Sequence, residues 1–347
     1  MNKKRFDWLD IAKGIAIIAT VVGHVSLIDW DPYRRLIFSF HMPLFFIVAG
    51  FTAKAVVDLK STWKLFTRVF IPYILVAGVT SIIFLIRGSD IKTEIFRLLW
   101  ASGVPANYGP GVPITNQAEI PVVGMLWFLP CMFFSKLLFS FALKITEKFS
   151  EYIRAAVILL ICIGGFILGR FYKIPMGLDI ALFVIVFFYA GYLLKKSGGL
   201  VSRPVSFGLV LTVLWGIALS FEALELSARF YRDFPYCIFT TLGAIAASIL
   251  IFYLSSEMLE KTPAVNRFLI FCGKNSLTIL CIHHLESSFI NWGAMLSKIP
   301  YIASLSPLNA GFVQAIVRVI FCSIICFVYI FIKSKVVSLL KQKKARA

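Results

Sequence analysis

Apolar runs long enough to cross a lipid bilayer recur along almost the whole of this 347-residue chain. A bilayer core about 30 Å thick is crossed by roughly 20 consecutive, mostly apolar residues in a helix. Hydrophobic residues make up 59% of the chain and charged residues only 15%, against about 25% in ordinary soluble domains. The sequence therefore predicts an all-α, polytopic membrane protein that forms one domain over residues 1–347, with no soluble domain appended.

Ten such runs can be placed along the chain. We expect transmembrane helices at residues 8–28, 36–53, 69–86, 121–143, 155–169, 176–194, 205–222, 235–254, 268–288 and 310–332. With both termini inside, the cytoplasmic segments hold roughly twice as many Lys and Arg residues as the outer loops, as the positive-inside rule requires. The formal net charge of +18 is then largely a topology signal and a contact for anionic membrane lipids, and it does not predict nucleic-acid binding.

Two further features bear on the kind of site to expect. Residues 87–120 form the only long loop of this topology, and an outward-facing loop of that length is typical of a lid or a binding loop. The seven cysteines lie in apolar segments without metal-ligand or disulfide spacing, so we interpret them as packing residues. We expect no metal site and no permanently bound cofactor.

A histidine near the end of the first apolar run is the strongest functional signal. Ionisable groups inside a membrane are costly and tend to mark function. At about 100° per residue, Lys13 lies roughly 20° from His24 on the helix wheel, and Asp10 lies within about 40°. One helix face therefore carries an acid, a base and an imidazole. Asp10 is too far from His24 to orient its ring, because about 21 Å of helical rise separates them.

Other polar residues fall at two depths. His41, His283 and His284 lie near the outer ends of their spans, at a depth similar to that of His24. Each could instead be a buried histidine bonded to a neighbouring carbonyl or hydroxyl group. Ser276 shares a helix face with His283, since the two are seven residues apart.

The remaining candidates near the outer ends have structural alternatives. By position, an interfacial tryptophan such as Trp127 is most often a membrane-belt residue, and we interpret Trp215 and Trp292 in the same way. Asp179 and Arg318 are intramembrane charges that could pair with each other or orient a histidine.

Three cations lie near the cytoplasmic ends of their spans. Lys13, Lys274 and Arg68 are placed to bind the phosphates of a cytoplasmic ligand. Alternatively, Lys13 pairs with Asp10 three residues earlier, and the other two extend to lipid headgroups.

Several segments match a known pattern. The first two are Arg5-Phe-Asp-Trp-Leu-Asp-Ile-Ala-Lys-Gly-Ile-Ala-Ile-Ile-Ala-Thr-Val-Val-Gly-His24 and Phe38-Ser-Phe-His-Met-Pro-Leu-Phe-Phe-Ile-Val-Ala-Gly-Phe51. Weaker matches are Arg68-Val-Phe-Ile-Pro-Tyr73, Leu126-Trp-Phe-Leu129, Leu178-Asp-Ile-Ala-Leu182, Phe187-Phe-Tyr-Ala-Gly191 and Phe271-Cys-Gly-Lys-Asn-Ser-Leu-Thr-Ile-Leu280. Together they resemble the membrane acyltransferase-3 family, in particular its fucose 4-O-acetylase-like branch.

The resemblance implies a fold of about ten transmembrane helices in a bacterial plasma membrane. It also implies O-acyl transfer, most often of acetyl from cytoplasmic acetyl-CoA, to a hydroxyl of a surface polysaccharide or its lipid-linked precursor. Family members commonly carry an arginine, ten residues and then a catalytic histidine in the first helix. His24 fits this pattern. Lys13 stands at the arginine position, so the charge is kept while the bidentate fork is lost.

The layout and the resemblance together predict a division of labour. Lys13, Arg68 and Lys274 meet the phosphates of acyl-CoA, and His24 acts as general base on the acceptor hydroxyl or carries the acyl group itself. His41 assists at the acceptor end, with Asn275 or Ser276 as lesser candidates. Asp10, Trp127, Asp179 and His283 are supporting candidates.

A carrier is the alternative function. A proton-coupled transporter or a glycan-lipid flippase would use the same histidines as a relay. Such proteins favour internal repeats and broken helices in corresponding halves of the chain, which the sequence does not reveal.

Overall fold

The computed structural model describes residues 6–25, 31–55, 58–103, 121–200, 203–220, 236–258 and 261–346. Within these residues the chain folds into helices joined by turns, and no strand is formed. This confirms the all-α prediction.

Seventeen α-helices are numbered here in chain order within the described residues. They are α1 (Asp7–Gly23), α2 (Asp31–Phe38), α3 (His41–Phe51), α4 (Leu59–Leu65), α5 (Ile71–Ile86), α6 (Ile91–Trp100), α7 (Phe128–Ile145), α8 (Glu151–Phe171), α9 (Leu178–Phe183), α10 (Ile185–Lys196), α11 (Val205–Leu219), α12 (Tyr236–Met258), α13 (Pro263–Lys274), α14 (Ser276–Phe289), α15 (Trp292–Leu296), α16 (Pro300–Ala303) and α17 (Pro307–Arg346). A π-helical turn, Phe66–Phe70, joins α4 to α5, and a 3-10 turn, Gly124–Trp127, precedes α7.

Helices that could cross a membrane recur along the described chain. Six helices, Tyr33–Phe51, Leu59–Ile86, Gly124–Ile145, Glu151–Gly169, Cys237–Met258 and Pro307–Leu340, are long and apolar enough to cross a bilayer. The number rises to eight if two bent helix pairs each form one span. Within the described residues, each of the ten predicted spans overlaps a helix or a helix pair. Residues 26–28, 221–222 and 235 of three of these spans lie outside the described residues. The count of ten and the orientation of the chain stay predictions.

Two predicted spans are sharply bent. The span predicted at 268–288 consists of α13 and α14, which meet at Asn275 with a bend of 76°. The span predicted at 176–194 is bent by 46° at Val184. At the bend, the side-chain Nδ2 of Asn275 donates to the backbone carbonyl O of Phe271 over 2.8 Å. Asn275 thereby supplies a hydrogen bond to a carbonyl group in the last turn of α13, where helix carbonyls lack partners within the helix. The sequence did not reveal either break.

The predicted long loop at 87–120 is partly wrong. Residues Ile91–Trp100 form helix α6, and the carboxylate of Asp90 caps its start by accepting from the backbone N of Thr93 over 3.0 Å. Arg97 of this helix donates to Glu94 and to the carbonyl O of Val122, which ties the helix to the turn before α7. The rest of the predicted loop, residues 104–120, lies outside the described residues.

Glycines bring two helix pairs into backbone contact. A Cβ built on Gly14 of α1 would overlap the carbonyl O of Leu269 in α13, and one built on Gly273 would overlap the carbonyl O of Asp10. Helix α3 crosses α10 in the same way, with Gly50 against Phe188. Small residues let membrane helices approach this closely, which gives them van der Waals contact that lipid cannot supply. The tight crossings set the relative positions of the helices that carry the candidate site.

Candidate active site

Helix α1 ends at the candidate catalytic histidine. His24 is the C-cap residue of α1, and its half-buried ring places Nδ1 2.7 Å from the carbonyl O of Thr20, one turn earlier. A carbonyl oxygen only accepts hydrogen bonds, so Nδ1 carries the proton and Nε2 is the bare nitrogen. A bare imidazole nitrogen can take a proton or attack a carbonyl carbon.

A second histidine lies against the first. The ring of His283, on α14, has its centroid 5.5 Å from that of His24, at an angle of 69°. Its Nδ1 lies 2.6 Å from Oε1 of Glu286, one turn along the same helix. The Nε2 atom of His283 is buried and has no hydrogen-bond partner within the described residues. The structure therefore brings into contact two histidines that the sequence predicted only to lie at a similar depth.

Arg318 of α17 connects the two histidine-bearing helices. Its guanidinium donates to Oε1 of Glu286 from Nη2 at 2.7 Å and from Nε at 3.0 Å. Its Nη1 donates to the backbone carbonyl O of His24, and its Nη2 also donates to Ser287. The other carboxylate oxygen of Glu286 accepts from the indole N–H of Trp292. This buried ion pair joins α1, α14 and α17 in one polar cluster.

The same cluster contains the atoms of a conceivable metal site. One ligand atom each from His283, Glu286 and Cys322 lie within 4.8 Å of one another. The guanidinium of Arg318 already neutralises that carboxylate, and a cation would have to displace it. We therefore assign no ion to these residues.

The third histidine, His41, contacts the same phenylalanine ring as His24. His41 begins α3 and is buried, and its Nδ1 lies 2.9 Å from the carbonyl O of Ile37. The ring of Phe38 lies between the two histidines, with its centroid 4.8 Å from His41 and 5.6 Å from His24. His41 thus shares the neighbourhood of His24, because the ring of Phe38 contacts both.

The fourth histidine faces a different helix. Nε2 of His284 lies 3.2 Å from the hydroxyl of Thr80 in α5, and that hydroxyl donates to the carbonyl O of Val76. His284 must then be the donor, because the single hydroxyl proton is already used. This histidine is bonded to a neighbouring hydroxyl, as the structural alternative for one member of the pair predicted.

Two of the three tryptophans expected at the membrane interface are buried instead. Trp127 is only 6% exposed, and its 3-10 turn packs against α14. Trp292 is equally buried and bonded to Glu286, and Trp215 donates to the hydroxyl of Ser39. The interpretation of Trp127 and Trp292 as membrane-belt residues was wrong, because both are buried inside the protein. Trp215 is half-buried, and its place in the membrane belt stays a prediction.

Asp179 does not share the site of Arg318. It is buried on α9, which packs against α7 and α8, while Arg318 pairs with Glu286. The predicted pairing of Asp179 with Arg318 is wrong. The alternative, in which Arg318 orients a histidine, agrees with its contacts to Glu286 and His24.

Comparison with known proteins assigns the chain to a protein family. A family model described as an acyltransferase domain matches residues 6–332. The chain belongs to the membrane acyltransferase-3 family. No curated protein and no solved structure matches the chain in the corresponding searches.

The inner cations of this acyltransferase-3 protein lie on separate elements. Nζ of Lys13 lies 2.7 Å from Oδ1 of Asp10, which is the i,i+3 pair that the structural alternative predicted. Lys274 is exposed at the end of α13, beside the glycine crossing that also holds Lys13. Arg68 is exposed on the π-helical turn, which packs against α7. Ser276, the first residue of α14, is half-buried next to the bend.

Sequence reasoning missed Glu286 and the role of Trp292 in this acyltransferase. The available signal was an acidic residue inside an apolar span, three residues after a histidine and therefore on the same helix face. An intramembrane carboxylate needs a partner, and Arg318 was an intramembrane cation for which the sequence left two alternatives open.

Proposed function

We propose that this acyltransferase-3 family protein transfers an acyl group, most often acetyl, from cytoplasmic acyl-CoA to a hydroxyl of a surface polysaccharide or its lipid-linked precursor. The setting is a bacterial plasma membrane, and acetyl-CoA is the donor substrate. The membership in the acyltransferase family supports the reaction type.

The bare Nε2 of His24, beside a buried polar cluster, is the observation that carries the assignment of the reacting group. In acyl transfer such a nitrogen either removes the proton of the attacking hydroxyl or accepts the acyl group itself. Asp10 does not take part in this chemistry, because it is paired with Lys13 about 21 Å of helical rise away.

The donor end of the proposed reaction lies at the glycine crossing of α1 and α13. Lys13 and Lys274 flank this crossing, and both side chains are at least partly exposed. Arg68 is the third exposed cation on the same proposed side. Ammonium and guanidinium groups bind phosphates well, which suits the phosphorylated end of acyl-CoA.

At the acceptor end, His41 is the group that we propose to assist, because it holds a fixed tautomer next to Phe38. We give Ser276 and Asn275 a lesser part. Both lie at the bend next to Lys274, closer to the proposed donor end, and the side-chain amide of Asn275 is bonded to Phe271.

The experiment that tests this function uses purified protein in nanodiscs with acetyl-CoA labelled in the acetyl group. We expect release of free CoA and label on an added glycan with the wild type, and loss of both with His24→Ala. His284→Gln is the matched control, because it replaces the histidine that faces Thr80. Unchanged transfer by a folded His24→Ala variant would remove His24 from the mechanism.

A carrier is the second candidate, and the bent helices favour it. Two spans are interrupted near their middle, at Asn275 and Val184, and broken helices are a recurrent feature of transporters. Folded wild-type protein that neither binds nor turns over acetyl-CoA, yet moves a glycan lipid in vesicles, would replace the acyltransferase proposal with this one.

A further inference from the structure

The two touching histidines have different partners at Nδ1. His24 donates to the neutral carbonyl of Thr20, whereas His283 donates to the carboxylate of Glu286. The carboxylate of Glu286 is shared with the guanidinium of Arg318, whose Nη2 also lies 3.4 Å from Nδ1 of His283. Glu286 therefore fixes the tautomer of this ring and offsets part of the guanidinium charge when the ring takes up a proton. An imidazole with an orienting carboxylate is the arrangement that general bases use in acyl transfer.

The two residues also differ in exposure. His24 ends its helix and is partly exposed as a residue, while His283 is 0% exposed. A bulky thioester needs the more accessible nitrogen, whereas a proton can be taken by a buried one. The orphaned Nε2 of His283 supports this division, since buried polar atoms in proteins are nearly always hydrogen-bonded.

One ring cannot perform both tasks at once. If Nε2 of His24 bears the acyl group while Nδ1 stays bonded to Thr20, the ring has no lone pair left for the hydroxyl proton. A second base is then required next to it. Within the described residues, His283 is the imidazole whose ring contacts that of His24.

Resting on the proposed function, we propose that His24 carries the acyl group and that His283 is the general base for its transfer to the acceptor hydroxyl. Glu286 and Arg318 are positioning residues. Glu286 holds the proton on Nδ1 of His283, and Arg318 fixes the two rings relative to each other by bonding both Glu286 and the backbone of His24.

The step balances in atoms and charge. Nε2 of His24 attacks the thioester carbon, the carbon–sulfur bond breaks, and the CoA thiolate leaves. The acceptor oxygen then attacks the acyl carbon while its proton moves to Nε2 of His283. The carbon–nitrogen bond breaks, which returns His24 to its neutral form. The proton held by His283 finally passes to the thiolate, so the products are an ester and CoA thiol.

Isotope exchange separates the two halves of this reaction. Labelled CoA incubated with unlabelled acetyl-CoA and no acceptor exchanges into acetyl-CoA only if the protein carries the acyl group. We expect the wild type to exchange and His24→Ala not to do so. The His283→Gln variant keeps exchange, because a thiol needs a base far less than an alcohol, but loses about 100-fold or more in transfer to the glycan.

Glu286→Gln tests the positioning role, because the amide still accepts a hydrogen bond but lacks the charge. We expect transfer to fall about 10-fold or more while exchange persists, and His284→Gln to leave both rates unchanged.

The assignment is overturned if His283→Gln transfers at the wild-type rate, or if that folded variant loses exchange and transfer together. Transfer by the wild type without any CoA exchange would overturn this inference and leave the proposed function standing. Absence of both activities in the wild type would instead remove the proposed function.

Discussion

Each histidine in the site has its tautomer fixed by one hydrogen bond from Nδ1. His24 and His41 both use the carbonyl four residues earlier, whereas His283 uses a carboxylate three residues later. The backbone partners cannot be removed by substitution. The carboxylate can, so the residue-level predictions concern Glu286 and its cation.

Breaking the buried ion pair should destabilise the protein more than removing the pair as a whole. Arg318→Met leaves the Glu286 carboxylate buried without a cation, which should cost about 3–5 kcal/mol of folding free energy. Adding Glu286→Gln should restore much of this stability without restoring acyl transfer. Thermal unfolding in detergent measures the first effect, and the transfer assay measures the second. Equal stability of the single and double variants would contradict the expectation.

The donor end gives a second prediction at this scale. Lys13→Ala removes a cation proposed to contact phosphate, so the KM for acetyl-CoA should rise about 10-fold or more. Lys13→Arg should retain most of the affinity, because the charge is kept. Lys144→Ala is the matched control, since this exposed lysine in the last turn of α7 pairs with Glu147. A KM that responds equally to both alanine substitutions would count against a specific donor contact.

The residues of the site were only partly predictable. The apolar runs give each histidine a depth, and similar depths brought His24, His41 and His283 into one neighbourhood. Depth says nothing about which helices are neighbours. The link from Glu286 to Arg318 spans 32 positions and depends on how α14 packs against α17, which hydropathy does not reveal.

At the level of elements, glycines decide which helices touch. Gly14 and Gly273 lie in the segments that resemble family motifs, next to Lys13 and Lys274. Their positions are required by backbone contact between α1 and α13. Part of the motif resemblance therefore reflects helix packing rather than chemistry.

Enlarging a crossing glycine should destabilise the fold. A Cβ at Gly14 or Gly273 overlaps a backbone carbonyl of the other helix, so either alanine substitution must separate α1 from α13. We expect a clear drop in Tm and loss of activity. Gly78→Ala is the control, because nothing lies within 4 Å of the Cβ it adds. That change should be neutral or stabilising by about 0.5–1 kcal/mol. Identical Tm values for the crossing and control variants would contradict the close packing.

The two helix bends could not be predicted from the hydrophobic pattern of the sequence. Apolar composition continues through Asn275 and Val184, so the runs read as unbroken spans. The 76° bend follows from tertiary contacts on either side, with α13 held by α1 and α14 held by α17. Helix α6 was missed for another reason, since its ten residues lie beside a segment rich in Gly and Pro that dominated the interpretation.

For the whole molecule, charge predicts the direction of the chain. Helix α17 has 40 residues and is about 60 Å long, roughly twice the thickness of the hydrocarbon core. Its last turns are rich in Lys and Arg, so the positive-inside rule places them in the cytoplasm.

Reporter fusions test this orientation. Green fluorescent protein fused after residue 347 should fluoresce, because it folds on the cytoplasmic side. Alkaline phosphatase inserted at Gly88, between α5 and α6, should be active, because it needs the outer side. The reversed pattern would invert the topology and place the lysines of the proposed donor site outside.

Helix α1 also fixes the distance between the two ends of the proposed site. It carries Lys13 near one end and His24 at the other, and its glycine crossing with α13 prevents it from sliding or stretching. Eleven residues of helix separate the two positions by about 16 Å along the axis. If the proposed function is correct, this fixed distance limits how far apart the phosphates and the acyl carbon of the donor can lie. Molecules whose anionic handle and acyl carbon are much closer together cannot occupy both ends, so donor length is selected before any chemistry begins.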